Sequence, residues 1–155
     1  MMASSMIAAD TDWGPAQFLV GRWTGEGTGQ PGNGSGAFSF TPELDGHILV
    51  RKSVADYPAA EGKPAILHED LMTVYRDEAS RGLLAIYFDS EGHTIRYTVS
   101  AAGAGVVFLS DGAAGQMRYR LTYMPVGKDK ATVKFEVAPP GQDFATYLEG
   151  SVRRE

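Results

Sequence analysis

Residues 18–29 read Phe18-Leu19-Val20-Gly21-Arg22-Trp23-Thr24-Gly25-Glu26-Gly27-Thr28-Gly29. Taken as a strand from Arg22, the stretch splits by alternation of side chains. Arg22, Thr24, Glu26 and Thr28 form a polar face suited to water. Trp23, Gly25, Gly27 and Gly29 form the other, one large ring followed by three positions without a side chain. Inside a closed sheet that face leaves room beyond the indole, where a ligand would sit. A second reading is that the glycines let the strand bend sharply or approach a neighbour closely. The two readings are compatible.

Upstream, Pro15 fits the first turn of a short helix over 15–20 that Gly21 ends, with a 3₁₀ turn as the alternative. Phe18 and Leu19 would then plug one end of the sheet. Downstream, 30–36 reads as a Pro/Gly/Asn/Ser loop and Pro42 as a strand stop. Further strands fall at 36–41, 47–55, 68–76, 83–89, 93–100, 106–110, 116–123, 131–137 and 144–152. Ten short strands with turn signals every ~8–14 residues, and almost no helical periodicity, predict an all-β fold. The expected architecture is a single up-and-down antiparallel β-barrel over 12–155, with 1–11 as a disordered lead-in.

Face assignments follow from the same alternation. Across the hairpin 83–100, an even-length turn around Glu91-Gly92 puts Leu84, Ile86, Phe88, His93, Ile95, Tyr97 and Val99 inside. Tyr87 would lie outside beside Arg96. Met117, Tyr119, Leu121 and Tyr123 face inward, as do Val133, Phe135 and Val137, and Phe144, Leu148 and Val152. Two strands stay open. The inward set of 47–55 is either Ile48, Val50 and Val54 with Lys52, or Leu49, Arg51 and Ser53. That of 68–76 is either Leu71, Thr73 and Tyr75, or His68, Asp70, Met72 and Val74.

The chain has 155 residues, 43% hydrophobic and 21% charged, which suits one ordinary globular domain. Without cysteine, disulfides, thiolate metal sites and cysteine nucleophiles are excluded. A net charge of −5 and a pI near 5.2 argue against nucleic acid as a partner. The first ten residues lack a signal-peptide pattern, and no apolar run approaches membrane-spanning length, so a cytoplasmic, membrane-free protein is expected.

Gly21-Arg22-Trp23, opening a ten-strand antiparallel chain after a short turn, resembles the Gly-x-Trp signature of the calycin barrels (lipocalins and fatty-acid-binding proteins). In lipocalins a basic residue from the end of the last strand packs across that tryptophan. Arg154, with the parity of Leu148 and Val152, is the residue the resemblance puts there. The longer run 19–29 resembles still more the opening of nitrobindin-like barrels, which bind haem. That family ligates iron through a histidine near the C-terminus, whereas no histidine follows His93 here. Tyr147 is the one conceivable ligand in the last strand, and alternation turns it outward. His68-Glu69-Asp70-Leu71 and the run from Tyr87 to His93 also resemble runs in uncharacterised bacterial barrels.

Among chemical candidates, His93 would face the barrel mouth with Tyr97 deeper, able to bond a ligand carbonyl or act as a base. The alternative is a half-exposed turn histidine. If His68 and Asp70 both point inward, they form an imidazole–carboxylate pair; otherwise they are a polar rim. A metal would need His68, His93 and Asp70 to converge, which spacing does not encode, and no metal is expected. Arg51, if inward, needs a partner, and fatty-acid-type barrels use such an arginine with tyrosines to hold a carboxylate. Tyr97, Tyr119 and Tyr123 supply inward hydroxyls. No Walker loop, nucleophile elbow or dinucleotide fingerprint is present.

The reading is a small-molecule-binding barrel for an apolar or amphipathic ligand, contacted by His93, Tyr97, Arg51, His68, Asp70 and Tyr119, with Gly21, Trp23 and Arg154 as structural signature. The alternative is an acid–base isomerase, cyclase or hydratase using His68/Asp70 or His93. Haem bound at a variant site is third. No cofactor is expected, and a homodimer is left open.

Overall fold

The computed structural model describes residues 12–155, so the expected lead-in 1–11 lies outside the described residues. A 3₁₀ helix, Gly14–Leu19, precedes ten strands. They are β1 (Gly21–Gly29), β2 (Gly32–Glu43), β3 (Ile48–Tyr57), β4 (Ile66–Arg76) and β5 (Leu83–Asp89), then β6 (Thr94–Ala102), β7 (Gly105–Ser110), β8 (Arg118–Val126), β9 (Lys130–Ala138) and β10 (Ala145–Arg154). Each strand pairs antiparallel with the next, and β10 pairs back onto β1, so the sheet closes into an up-and-down barrel. Among the described strands no edge is left unpaired.

One end is plugged. The 3₁₀ helix lies on β6 and β7 and buries Trp13, Ala16 and Leu19 in the same core as Phe40, Val74, Val99 and Phe108. Gly21, at φ +126°, releases the chain from this turn into β1. Trp23 then reaches under the plug, its Nε1 donating to the Leu19 carbonyl at 2.9 Å. Arg154 lies over the indole, 4.4 Å from its centroid. It also donates to the carbonyls of Val20 and Phe18, both at 2.7 Å. Arg154 thereby ties β10 to Trp23 and to the 3₁₀ helix.

The glycine row of β1 has the second of its two readings. A Cβ at Gly25 or Gly29 would collide with the backbone of β10, and one at Gly27 would come 2.9 Å from the Glu149 carbonyl oxygen. Gly34 on β2 lies beneath the Tyr57 ring. The glycines serve close strand approach at a sharp corner of the barrel. The space expected beyond Trp23 is taken up by β10 and Tyr57.

Four other expectations are corrected. The β5–β6 turn holds three residues, Ser90, Glu91 and Gly92, with Gly92 at φ +91°, so Asp89 N donates to the His93 carbonyl at 3.3 Å. An odd turn inverts the parity of β5 relative to an even one. Leu83, Ala85, Tyr87 and Asp89 face inward, opposite Val99, Tyr97 and Ile95. Phe88 is 45% exposed on the outer wall, and Arg96 pairs with Ile86 rather than Tyr87. In β10 the register slips between Thr146 and Leu148, leaving Tyr147 as a bulge residue. That slip keeps Leu148 and Val152 inside but puts Phe144 outside, under Arg118 and Arg120. Met117 precedes β8 and is 40% exposed. Lastly, β2 starts at Gly32 after the two-residue Gln30-Pro31 turn and runs through Pro42, which lies beyond the last residue paired with β1.

Candidate functional site

Both ambiguous strands present their polar set to the interior: Leu49, Arg51 and Ser53 from β3, and His68, Asp70, Met72 and Val74 from β4. The reason lies between the strands. Arg51 is level with Met72 and Ser53 with Asp70, so Arg51 and Asp70 are diagonal neighbours on one face. Either charge alone would be costly inside; together each supplies what the other lacks. Arg51 Nη1 donates to Asp70 Oδ1, with the two side chains only 10% and 6% exposed. The guanidinium also lies 5.4 Å from the centroid of Phe38.

A chain of contacts runs from this pair to the rim. The Asp70 carboxylate accepts from the Ser53 hydroxyl, and its Oδ2 stands 3.7 Å from His68 Nε2. That nitrogen is 3.0 Å from the Tyr87 hydroxyl, which is 3.2 Å from Asp89 Oδ2. On the outer side, His68 Nδ1 is 3.2 Å from a Glu91 carboxylate oxygen. A carboxylate only accepts, so Nδ1 carries a proton and Nε2 is the nitrogen turned inward. Asp89 accepts from Glu91 N at 3.0 Å and from His93 N and His93 Nδ1, each at 2.9 Å.

The electrostatics follow from burial and these bonds. Burial pushes the Asp70 carboxyl above its ordinary value, although Arg51 and His68 pull the other way. Burial is the largest influence on Arg51 and weakens its cation, but Asp70, Tyr123 and Tyr87 together outweigh it and hold the guanidinium charged. Tyr87, Tyr97 and Tyr123 are raised by burial and stay phenols, able to donate. Asp89 is lowered: burial opposes its charge, and the hydrogen bonds from His93 and Glu91 more than offset that.

Above this floor the inner wall is aromatic and reached by solvent. Tyr119 stacks on Phe135 at 6.0 Å and 4°, and Phe135 meets Tyr147 edge-on at 5.9 Å. The bulge thus brings Tyr147 to the inner wall, against the expected outward parity. Phe38, Tyr87, Tyr119, Val133 and Phe135 face inward yet are only partly buried. Two buried donors in this region have no acceptor, Arg51 Nε and the Tyr123 O–H, whose oxygen faces the guanidinium as an acceptor.

Of the residues expected at the site, Arg51, Asp70 and His68 are neighbours, and Tyr97 lies within electrostatic reach of Arg51, Asp70 and Tyr119. His93 does not join them as a deep contact. Its ring is 54% exposed at the turn and committed to Asp89. Tyr87, Asp89 and Glu91, which complete the network, escaped the sequence reading because the turn parity misplaced β5; the Gly92 position was the available signal. Among the described residues no group of His, Asp and Glu has a geometry that could hold a metal ion. On the wall of β1–β5 a hollow of about 670 Å³ is lined by Arg22, Lys52, Val54, Leu71 and Phe88, with Ser53 and Asp70 between them.

Fold and site together define a closed ten-strand antiparallel barrel, plugged at one end, with a buried ion pair and aromatic lining in the other half. No protein-family model and no curated protein matches the sequence. Among solved structures the chain is similar to the crystal structure of Rv2717c from M. tuberculosis, at 14% identity and a TM-score of 0.62, over 93% of this chain and 99% of that one. It also matches a de novo designed fluorescence-activating β-barrel at 13% identity and a TM-score of 0.46, over 90% and 96% of the two chains. At these identities the likeness to Rv2717c is one of fold. No helix among the described residues is long and apolar enough to cross a membrane.

Proposed function

We propose that the chain is a calycin-type barrel that binds a small amphipathic molecule in its open half. The apolar part would lie along Tyr119, Phe135, Tyr147 and Leu148, and the polar end would reach Arg51, Asp70 and Tyr97. The observation that carries this is the pair of unpartnered buried donors, Arg51 Nε and the Tyr123 hydroxyl, beneath an aromatic wall that solvent reaches. Buried donors are ordinarily satisfied, so these two suit an oxygen acceptor brought from outside, from water or from a ligand. Trp13 and Trp23, each 1% exposed at the plugged end, are poor reporters. The test is titration with the neutral dye Nile red. A saturable blue shift at one dye per chain, weakened by Tyr119→Ala, supports the proposal. Absence of a saturable signal refutes it.

A second reading rests on His68. Its Nδ1 is anchored on Glu91 while Nε2 faces the interior beside Asp70 and Tyr87, the arrangement of an oriented acid–base group. Solvent-exchange NMR on a bound ketone would show faster loss of α-protons with the native protein than with His68→Gln. Equal rates would remove this reading.

A further inference from the structure

We infer that the interior site selects an uncharged polar head, such as an amide, alcohol or ketone, over a carboxylate on the same tail. This rests on the binding role proposed above and concerns what that site accepts. Among the described residues, the charged groups facing this part of the interior are Arg51, Asp70, Asp89 and, when protonated, His68, with Glu91 on the rim. Arg51 is the single fixed cation among them, and its Nη1 is bound to Asp70.

A carboxylate entering here would find no free positive charge. It would instead meet Asp70 and Asp89 in a water-poor setting, where like charges are strongly unfavourable. An uncharged carbonyl or hydroxyl oxygen meets no such repulsion. It can accept from Arg51 Nε and the Tyr123 hydroxyl, the two donors without partners. An amide or hydroxyl proton can then be given to a remaining lone pair of the Asp70 carboxylate, which accepts from Arg51 and Ser53 and stands 3.7 Å from His68 Nε2. Arginine inside a barrel suggests an anion site; Asp70 cancels it. Discrimination of this kind comes from a repulsive element as well as an attractive one.

The experiment is displacement of Nile red at pH 8 by decanamide and by decanoate, which share a tail length and differ in the head. The expected result is that decanamide binds at least about tenfold more tightly than decanoate. Asp70→Asn, which frees the Arg51 charge while keeping the side-chain shape, should reverse or erase that preference. Should this variant fold poorly, Tyr123→Phe provides the second arm: it should weaken decanamide several-fold and leave decanoate unchanged. Equal or tighter binding of decanoate by the native protein overturns the inference, as does an unchanged preference in both variants. If Nile red binds but neither competitor displaces it, the head-group inference fails and the binding role stands. If Nile red does not bind, the binding role itself fails.

Discussion

Arg51 on β3 and Asp70 on β4 lie one register step apart on the inner face of the barrel, each buried against the other. This relationship fixes which way both strands face, and it sets the polarity of the interior. Breaking the pair from one side should therefore cost far more than replacing both members. Asp70→Ala leaves a buried cation unpaired and should destabilise the fold by about 3–5 kcal/mol. Arg51→Met with Asp70→Leu should lie much closer to the native protein. Urea unfolding of the single and double variants checks this.

The corner formed by β1 and β10 should tolerate no side chain. Gly25→Ala places a methyl group into the β10 backbone and should cost about 1–3 kcal/mol or shift the register. Glu26→Ala, one residue on and facing water, should be within about 0.5 kcal/mol of the native chain. Thermal melts of the two variants, measured side by side, distinguish a packing requirement from a general preference for this strand.

Arg154 holds the plug by two bonds to carbonyls and by its contact with Trp23. Arg154→Met should cost about 2–3 kcal/mol, through lost charge-assisted hydrogen bonds and cation–π attraction. It should also red-shift tryptophan emission as water reaches the indole. Arg153→Met, on the outward parity, should change neither quantity appreciably.

Acid should loosen the β5–β6 tip in a definite direction. The folded Asp89 carboxyl titrates below its ordinary value of 3.8 because of its bonds to His93 and Glu91, which outweigh burial. A carboxyl depressed in this way stabilises the fold above its unfolded pKa, and that contribution disappears as pH falls through the folded value. Asp70, raised by burial, has the opposite slope: its contribution is present below the unfolded value and is lost as pH rises through the folded one. Amide exchange at Glu91 and His93, followed from pH 6 to pH 3, should lose protection at the acid end. Asp89→Asn should show weak protection throughout and a flattened acid dependence.

The barrel was legible from the sequence because it rests on repeated local signals: ten alternating runs, the turn residues between them, and the Gly21–Trp23 opening. The inner faces of β6, β8 and β9 were legible for the same reason. What escaped depended on single-residue offsets or on partners distant in sequence. One residue in the Ser90–Gly92 turn reversed Tyr87, Asp89 and Phe88, and one bulge residue, Tyr147, reversed Phe144. Lys52 and Arg51 each make one face of β3 polar, and only the neighbouring Asp70 decides between them. The glycines of β1 could equally mark a hollow or a close approach until the position of β10 was known.

A ligand held in the open half of the barrel touches residues that the hollow on the wall of β1–β5 does not reach. Chemical-shift mapping of the isotopically labelled protein during titration with decanamide tests this directly. Binding inside the barrel gives saturable shifts at Tyr97, Tyr119, Phe135 and Leu148, with Trp13 and Leu19 unmoved. Shifts confined to Lys52, Val54, Leu71 and Phe88, with the interior silent, would contradict it.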